Sequence, residues 1–258
     1  MNQLFPNELV EMLETRRVKG RTKDLPPMGA SSENNLHVLA KLICDLKPTH
    51  TLEIGLATGA SALVIAHGHR LNEDSTIRSH TAIDPYQHEL DDVGVVQIER
   101  AGLERYFSLI RNRSLAALPE LLGNRRQFDL IYIDGSHLFE HVFVDMFYSM
   151  RLLRTGGVVL LDDSTITDVQ KIVRFTRRNF KGKIDELDLT SWRKPEASGL
   201  RYRVAKALNR VQLTGFIKHN DPERPYNASL VNFDSTRNTA VGRMRSQASD
   251  CPVPGASA

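Results

Sequence analysis

The chain reads as an α/β fold on a mostly parallel, doubly wound sheet with helices on both faces. Three observations predict it. From about residue 31 to 190, short apolar runs alternate with stretches of helical period, the pattern of strands joined by crossover helices. The runs are apolar almost without interruption, as expected of strands covered on both faces. Each run then breaks into turn or polar residues before the next helical stretch begins.

Taken in order, residues 1–30 read as an N-terminal helical or cap segment. "SSENNLHVLAKLICDLK" opens on Ser31 or Ser32 as a candidate N-cap and carries Leu36, Leu39, Ala40 and Ile43 at helical spacing, which predicts a helix. Strands are expected at "HTLEIGL", "HTAIDPY", "FDLIYIDG" and "GGVVLLDD", with helices at 59–71, 91–104, 114–122, 138–153 and 168–180. The stretch 181–232, with "KIDELDL", Trp192, the basic amphipathic "GLRYRVAKALNRVQLTGFIK" and proline turns, supplies either the last strands of the sheet or a cap. Residues 31–232 would then form one domain. After about 233 the chain is small, polar and aperiodic, which predicts a disordered tail over 233–258.

Composition narrows the function classes. The 258 residues are 41% hydrophobic and 25% charged with a net charge of +3, ordinary for a protein with a packed core. Lys and Arg are spread along the chain, and the basic piece near 200–210 also suits a solvated amphipathic face, so nucleic acid is not the expected partner. No window approaches the roughly 18 apolar residues of a membrane span, and the acid-containing N-terminus does not read as a signal peptide. Cys44 and Cys251 are too distant to form a disulfide framework. A cytoplasmic protein is expected, with no membrane partner and with a homo-oligomer left open.

The stretch "TLEIGLATGASALVIA" raises the question of chemistry. Gly55 and Gly59 sit between an apolar run and a helix-forming run, where a glycine turn lets a ligand approach the backbone and the helix N-terminus favours anionic groups. The same glycines also suit plain tight packing of strand on helix. In a nucleotide-binding unit an acid at the end of the second strand bonds ribose hydroxyls, and Asp84 in "TAIDPY" stands there. The dinucleotide pattern G-x-G-x-x-G is absent, because position 57 is Ala.

Glu53-Ile54-Gly55-Leu56-Ala57-Thr58-Gly59-Ala60-Ser61 resembles the first motif of class I S-adenosylmethionine-dependent methyltransferases. The form E-I-G-x-x-x-G-x-S is closest to the metal-dependent small-molecule O-methyltransferases, of the catechol, caffeoyl-coenzyme A and macrocin-like types. The resemblance covers residues from about 28 to 165 and implies a Rossmann-like, seven-stranded fold. It implies S-adenosyl-L-methionine as cofactor, with Glu53 receiving the methionine ammonium, Gly55 and Gly59 clearing space, Ser61 and the helix N-terminus taking the carboxylate, and Asp84 holding the ribose. On this reading a bulky residue at Gly55 should abolish cofactor binding while leaving the fold. Ser114 in "RNRSLAALPEL" matches the position that contacts adenine, and would equally serve as the N-cap of the helix after it.

Three acids stand at strand ends, Asp134 in "FDLIYIDGSH" and Asp162 and Asp163 in "GGVVLLDDS". Ligands of open α/β sheets bind outside the carboxyl ends of the strands. Converging carboxylates repel one another unless a cation intervenes, and oxygen ligation suits a hard divalent ion such as magnesium. The resemblance implies the same metal set, with an acid where those enzymes carry Asn, so that one of the pair need only support the other. His137, three residues after Asp134, matches the proposed base of the macrocin-like group, and His141 ranks behind it. The activity implied is metal-assisted methylation of a hydroxyl on a small molecule or sugar. Alternatives on the same fold are a relative of the cephalosporin hydroxylase type or a non-catalytic cofactor-binding partner, with a nucleic-acid methyltransferase behind them.

Overall fold

A computed structural model of the chain describes residues 4–208 and 210–231; the tail expected at 233–258, with Cys251, lies outside the described residues. In chain order the elements are α1 (Asn7–Thr15), β1 (Val18–Lys19), β2 (Asp24–Leu25), α2 (Glu33–Leu46), β3 (His50–Ile54), α3 (Ala60–Leu71), β4 (Ser79–Ile83), α4 (Val93–Arg100) and β5 (Phe107–Ile110). There follow α5 (Ser114–Gly123), β6 (Phe128–Ile133), α6 (Phe139–Leu152), β7 (Leu153–Leu161), α7 (Thr167–Asn179), β8 (Ile184–Leu187), α8 (Leu200–Ala207) and β9 (Thr214–Lys218). Seven strands make one sheet in the order β5-β4-β3-β6-β7-β9-β8. The first five pair in parallel, while β9 runs antiparallel to both β7 and β8.

Strand alternation builds two cores, one on each face. Leu130 and Tyr132 of β6 and Val158 and Leu160 of β7 point into the core shared with α2, α3 and α4. Ile131, Ile133, Val159 and Leu161 point into the core made with α5, α6 and α7. All six residues of β6 are buried, which is why its sequence is apolar at every position but Asp129, whose carboxylate accepts from Thr49 and His50. Leu9 and Met12 of α1 and Val18 of β1 join the first core, so the N-terminal segment packs against the sheet's helices.

The doubly wound sheet matches the expected class, and the differences are local. The edge strand "FSLI" (β5), not among the expected strands, is four residues long and carries only partly buried or exposed side chains. Residues 181–231 supply both last strands, with α8 between them. Helix α4 starts at Val93 rather than 91, because Asp91 and Asp92 adopt the left-handed conformation and the Asp91 carboxylate accepts from the Thr22 and Lys23 amides of the turn between β1 and β2. Ser32, not Ser31, caps α2, accepting from the Asn35 amide at 3.3 Å. Helix α5 takes Arg113 as its N-cap, so Ser114 is its first helical residue and not its cap.

Candidate active site

Parallel strands β3, β4 and β6 end on the same side of the sheet, and the loops after them wall a cleft of about 470 Å³. Gly55, Ala57, Asp84, Tyr86, Ser114 and Asp134 are among its lining residues. A second hollow of similar volume lies between α6 and α7, lined by Phe143, Phe147 and Phe175 among others, and holds none of the strand-end acids.

Both glycines of the first loop are set by backbone contact. Gly55 has φ +92°, and a Cβ there would lie 2.3 Å from the Asp134 carbonyl oxygen. Gly59 has φ +80°, and its Cβ would meet the Gly94 backbone at 3.0 Å. Their absence of side chains therefore lets β3 close onto β6 and the start of α3 onto α4, as the packing alternative required. The expectation that a bulky residue at Gly55 leaves the fold fails on this contact.

Asp84 is the keystone of the loop. Its Oδ2 accepts from the Leu56 and Ala57 amides at 3.0 and 2.9 Å and from Gln87 Nε2 at 3.2 Å, while Oδ1 accepts from the Tyr86 amide at 2.7 Å. It nonetheless lines the cleft, beside Tyr86.

Glu53 lies elsewhere than the cleft wall. Its register partner is Tyr132, and both face the α3 side of the sheet, where Glu53 is wholly buried. Ser61 donates to one of its carboxyl oxygens, and the His80 Nε2 stands 3.3 Å from the other. Burial pushes the Glu53 carboxyl up to about 8, with Ser61 opposing and Asp84 adding to the shift. Burial also drives His80 down to about 3. Near neutral pH the pair is thus an uncharged hydrogen bond, extended through His80 Nδ1 to the Thr51 hydroxyl at 3.0 Å and from there to His69 at 2.9 Å.

The strand-end acids divide into two environments. Asp162 is buried, and its oxygens are taken by protein donors: Asn35 Nδ2 at 2.7 Å and its neighbour's amide at 2.8 Å on Oδ1, and the Tyr132 hydroxyl at 2.6 Å on Oδ2. Asp134 accepts from Ser31 at 2.9 Å through Oδ2. Burial, and then Asp162 beside it, hold the Asp134 carboxyl well above the usual carboxylate range. Asp163 sits at φ +49°, a conformation Asp tolerates better than most residues. It approaches His137, whose Nε2 is 3.1 Å from Asp163 Oδ2 without the alignment of a hydrogen bond.

Asp134, His137 and Asp163 each offer one ligand atom, all within 4.8 Å of one another. This trio differs from the expected set of Asp134, Asp162 and Asp163, since Asp162 is oriented by its donors. His137 and Asp162 share a recess with Asp134, which also lines the large cleft and so joins the two. His141 faces that cleft and pairs its Nδ1 with Ser136 at 2.9 Å.

Sequence reading missed Ser31, Asn35, Tyr132 and His80. The first three lie far from the acids they hold, up to 127 positions along the chain, with no local pattern to mark them. Only the serine pair before α2 gave a signal, and that signal was for capping.

Residues 52–164 match a family described as a methyltransferase domain. The Arabidopsis thaliana protein At1g67980, named for caffeoyl-CoA O-methylation, is 30% identical over 50% of this chain, which spans only about half (52%) of that relative. Caffeoyl-CoA O-methyltransferase of Stellaria longipes is 28% identical over 65% of this chain and 71% of its own. Catechol O-methyltransferase of Mycobacterium tuberculosis is 26% identical over 54% and 59%. Among solved structures, the SAH-bound methyltransferase PaMTH1 of Podospora anserina superposes with a TM-score of 0.58 at 19% identity, covering 84% of this chain and 89% of that one. An O-methyltransferase of Bacillus cereus, in complex with SAH, gives 0.56 at 17%, covering 70% and 82%. Residues 52–164 are thus similar to a methyltransferase domain, and the chain shares its fold with these S-adenosylhomocysteine-bound methyltransferases.

Proposed function

We propose that the chain transfers the methyl group of S-adenosyl-L-methionine to a hydroxyl of a small molecule, with a divalent cation and His137 assisting deprotonation. The observation that carries this reading is the continuity of the cleft: it runs past Asp84, Tyr86 and Ser114 and ends at Asp134, beside His137 and Asp163. A nucleoside seated at Asp84 and Ser114 would direct its methionine end toward the acids. The sulfonium is already a good leaving group, so the protein's part is alignment and removal of the acceptor's proton.

The residues fit a cation. Two carboxylates and an imidazole converge, and the half-buried Asp134 carboxyl carries an ionisation cost that a positive charge would relieve. Asp134 and Asp163 would hold the ion, with magnesium the expected one, and Asp162 would brace the site through Asn35 and Tyr132. When bound, a divalent ion lowers the pKa of a coordinated hydroxyl. His137, about 40% exposed, is placed to take that proton. Acceptors with two adjacent hydroxyls, catechols or sugars, suit such a site because both oxygens can face it. The half-buried free thiol of Cys44 suits a reducing, cytoplasmic setting. Among the described residues no helix is long and apolar enough to cross a membrane.

The test is turnover of S-adenosylmethionine with a panel of vicinal diols, with magnesium and with excess chelator. Turnover should be lost in chelator, and His137→Ala should lower kcat by ~10²–10⁴ with cofactor affinity nearly unchanged. Full turnover in chelator would remove the metal from the reading. A change below threefold in His137→Ala would assign that residue to structure and make His141→Ala the next variant.

A further inference from the structure

Helix α8 has one side that the described residues leave uncovered. Its inner side is tied down: Arg193 lies over the Tyr202 ring at 4.2 Å, and the Lys206 ammonium meets the Asp188 carboxylate at 2.5 Å and the Thr190 hydroxyl at 3.3 Å. On the outer side Leu200 is 78% exposed, Val204 49% and Leu208, at the end of the helix, 59%. Residues four apart stack on one face of a helix, so these three form a single apolar stripe.

Arginine stands on both flanks of the stripe. At about 100° per residue, Arg201 follows Leu200 to one side and Arg203 precedes Val204 on the other. Both are exposed, and among the described residues no acid lies within ion-pair distance of either guanidinium. A helix that is merely solvated keeps its leucines inside, whereas α8 turns them out between two unpaired cations. Exposed apolar side chains rimmed by charge mark a surface that meets something else.

We propose that α8 is a docking helix for an anionic phospholipid surface, with Leu200, Val204 and Leu208 entering below the headgroups and Arg201 and Arg203 staying among the phosphates. The arginine stems can lie along the apolar layer while their heads remain at the charged level. A second copy of the chain suits the stripe poorly, because setting it against itself brings the arginines of both copies together. A groove on an acidic protein suits it poorly by size, since three side chains fall well short of the roughly 800 Å² per partner of a stable interface. A lipid surface asks for neither symmetry nor area. It needs no membrane-spanning helix, and the cytoplasmic leaflet carries the negative charge that the arginines require.

The experiment is flotation of the whole chain at low salt with vesicles of phosphatidylcholine alone and with vesicles of phosphatidylcholine and phosphatidylglycerol in equal parts. The chain should float with the mixed vesicles and stay behind with the neutral ones. Leu200→Ser combined with Leu208→Ser should weaken that binding at least ~10-fold. Arg201→Gln combined with Arg203→Gln should weaken it by ~10–30-fold, about fivefold for each charge near the surface. All four positions are exposed, so melting temperatures should stay within about 2 °C of wild type. No flotation of wild type with mixed vesicles, or equal flotation with neutral ones, would overturn the proposal. Unchanged binding in the leucine variant would reduce the attraction to net charge alone and overturn it too, as would unchanged binding in the arginine variant. Sedimentation velocity without lipid reads the competing occupant: a wild-type dimer that the leucine substitutions convert to monomer would assign the stripe to a second copy instead.

Discussion

Gly55, placed by the proposed reading in the cofactor loop, is fixed by packing. The position has a left-handed φ and a carbonyl where its Cβ would be, so any side chain both strains the backbone and pushes the Asp134 loop outward. Gly55→Ala should therefore destabilise the fold by roughly 2–4 kcal/mol in denaturant melts, and cofactor affinity should fall with it. A stable variant with unchanged affinity would show that the loop yields easily. Glu53 makes a separate prediction, about pH. The folded chain binds the Glu53 proton more tightly than the unfolded chain does, so its contribution is complete below the ordinary carboxyl value and is lost as pH rises toward about 8. His80 works in the opposite sense at lower pH, its neutral form adding stability as pH climbs from about 3 toward 6.5. Melting temperature should thus decline between pH 6.5 and 8, and Glu53→Gln should flatten that decline. An equally steep decline in the variant would assign it to other groups.

At the level of elements, α2 holds the acidic site together. Ser32 caps it, Ser31 just before it reaches Asp134 and Tyr132, and Asn35 in its first turn reaches Asp162, so the end of this helix braces the ends of β6 and β7. Tyr132→Phe deletes the hydroxyl shared by Asp162 and Ser31 while keeping the ring in the core. It should cost about 1–3 kcal/mol of stability through the unpaired buried carboxyl, with cofactor affinity nearly unchanged because Tyr132 does not line the cleft. Unchanged stability in urea melts would mean that water replaces the hydroxyl. These elements also mark what the sequence could disclose. Strands β6 and β7 were legible because burial on both faces leaves the runs "LIYI" and "VVLL", and β3 and β4 by the turn residues that follow their last apolar positions. Strand β5 at the edge was not, since its side chains are half in solvent. The acids were legible by their place at strand ends. Their partners were not, because Asn35 and Asp162 meet only through the sheet's topology, and nothing local distinguishes the Asp held by Asn35 and Tyr132 from its neighbour.

For the molecule as a whole, the order β5-β4-β3-β6-β7 reverses direction at β3, and the cleft opens outside the strand ends beside that reversal, between the loops after β3, β4 and β6. The antiparallel pair β9 and β8 extends the sheet past β7, and the residue just before β9's turn, Gln212, reaches Asp163 at 3.3 Å, so the C-terminal strands also touch the acidic site. On the proposed reading, one cleft takes the cofactor and one flank of it the acceptor and its proton. The most direct test is a calorimetric titration of the purified chain with S-adenosylmethionine, repeated on Asp84→Ala and on a variant of the hollow between α6 and α7, Phe143→Ala. One site per chain, lost or weakened at least 10-fold in Asp84→Ala and kept in Phe143→Ala, is the result predicted. No binding to the wild-type chain, or binding that survives Asp84→Ala and disappears in Phe143→Ala, would contradict the assignment of the cleft.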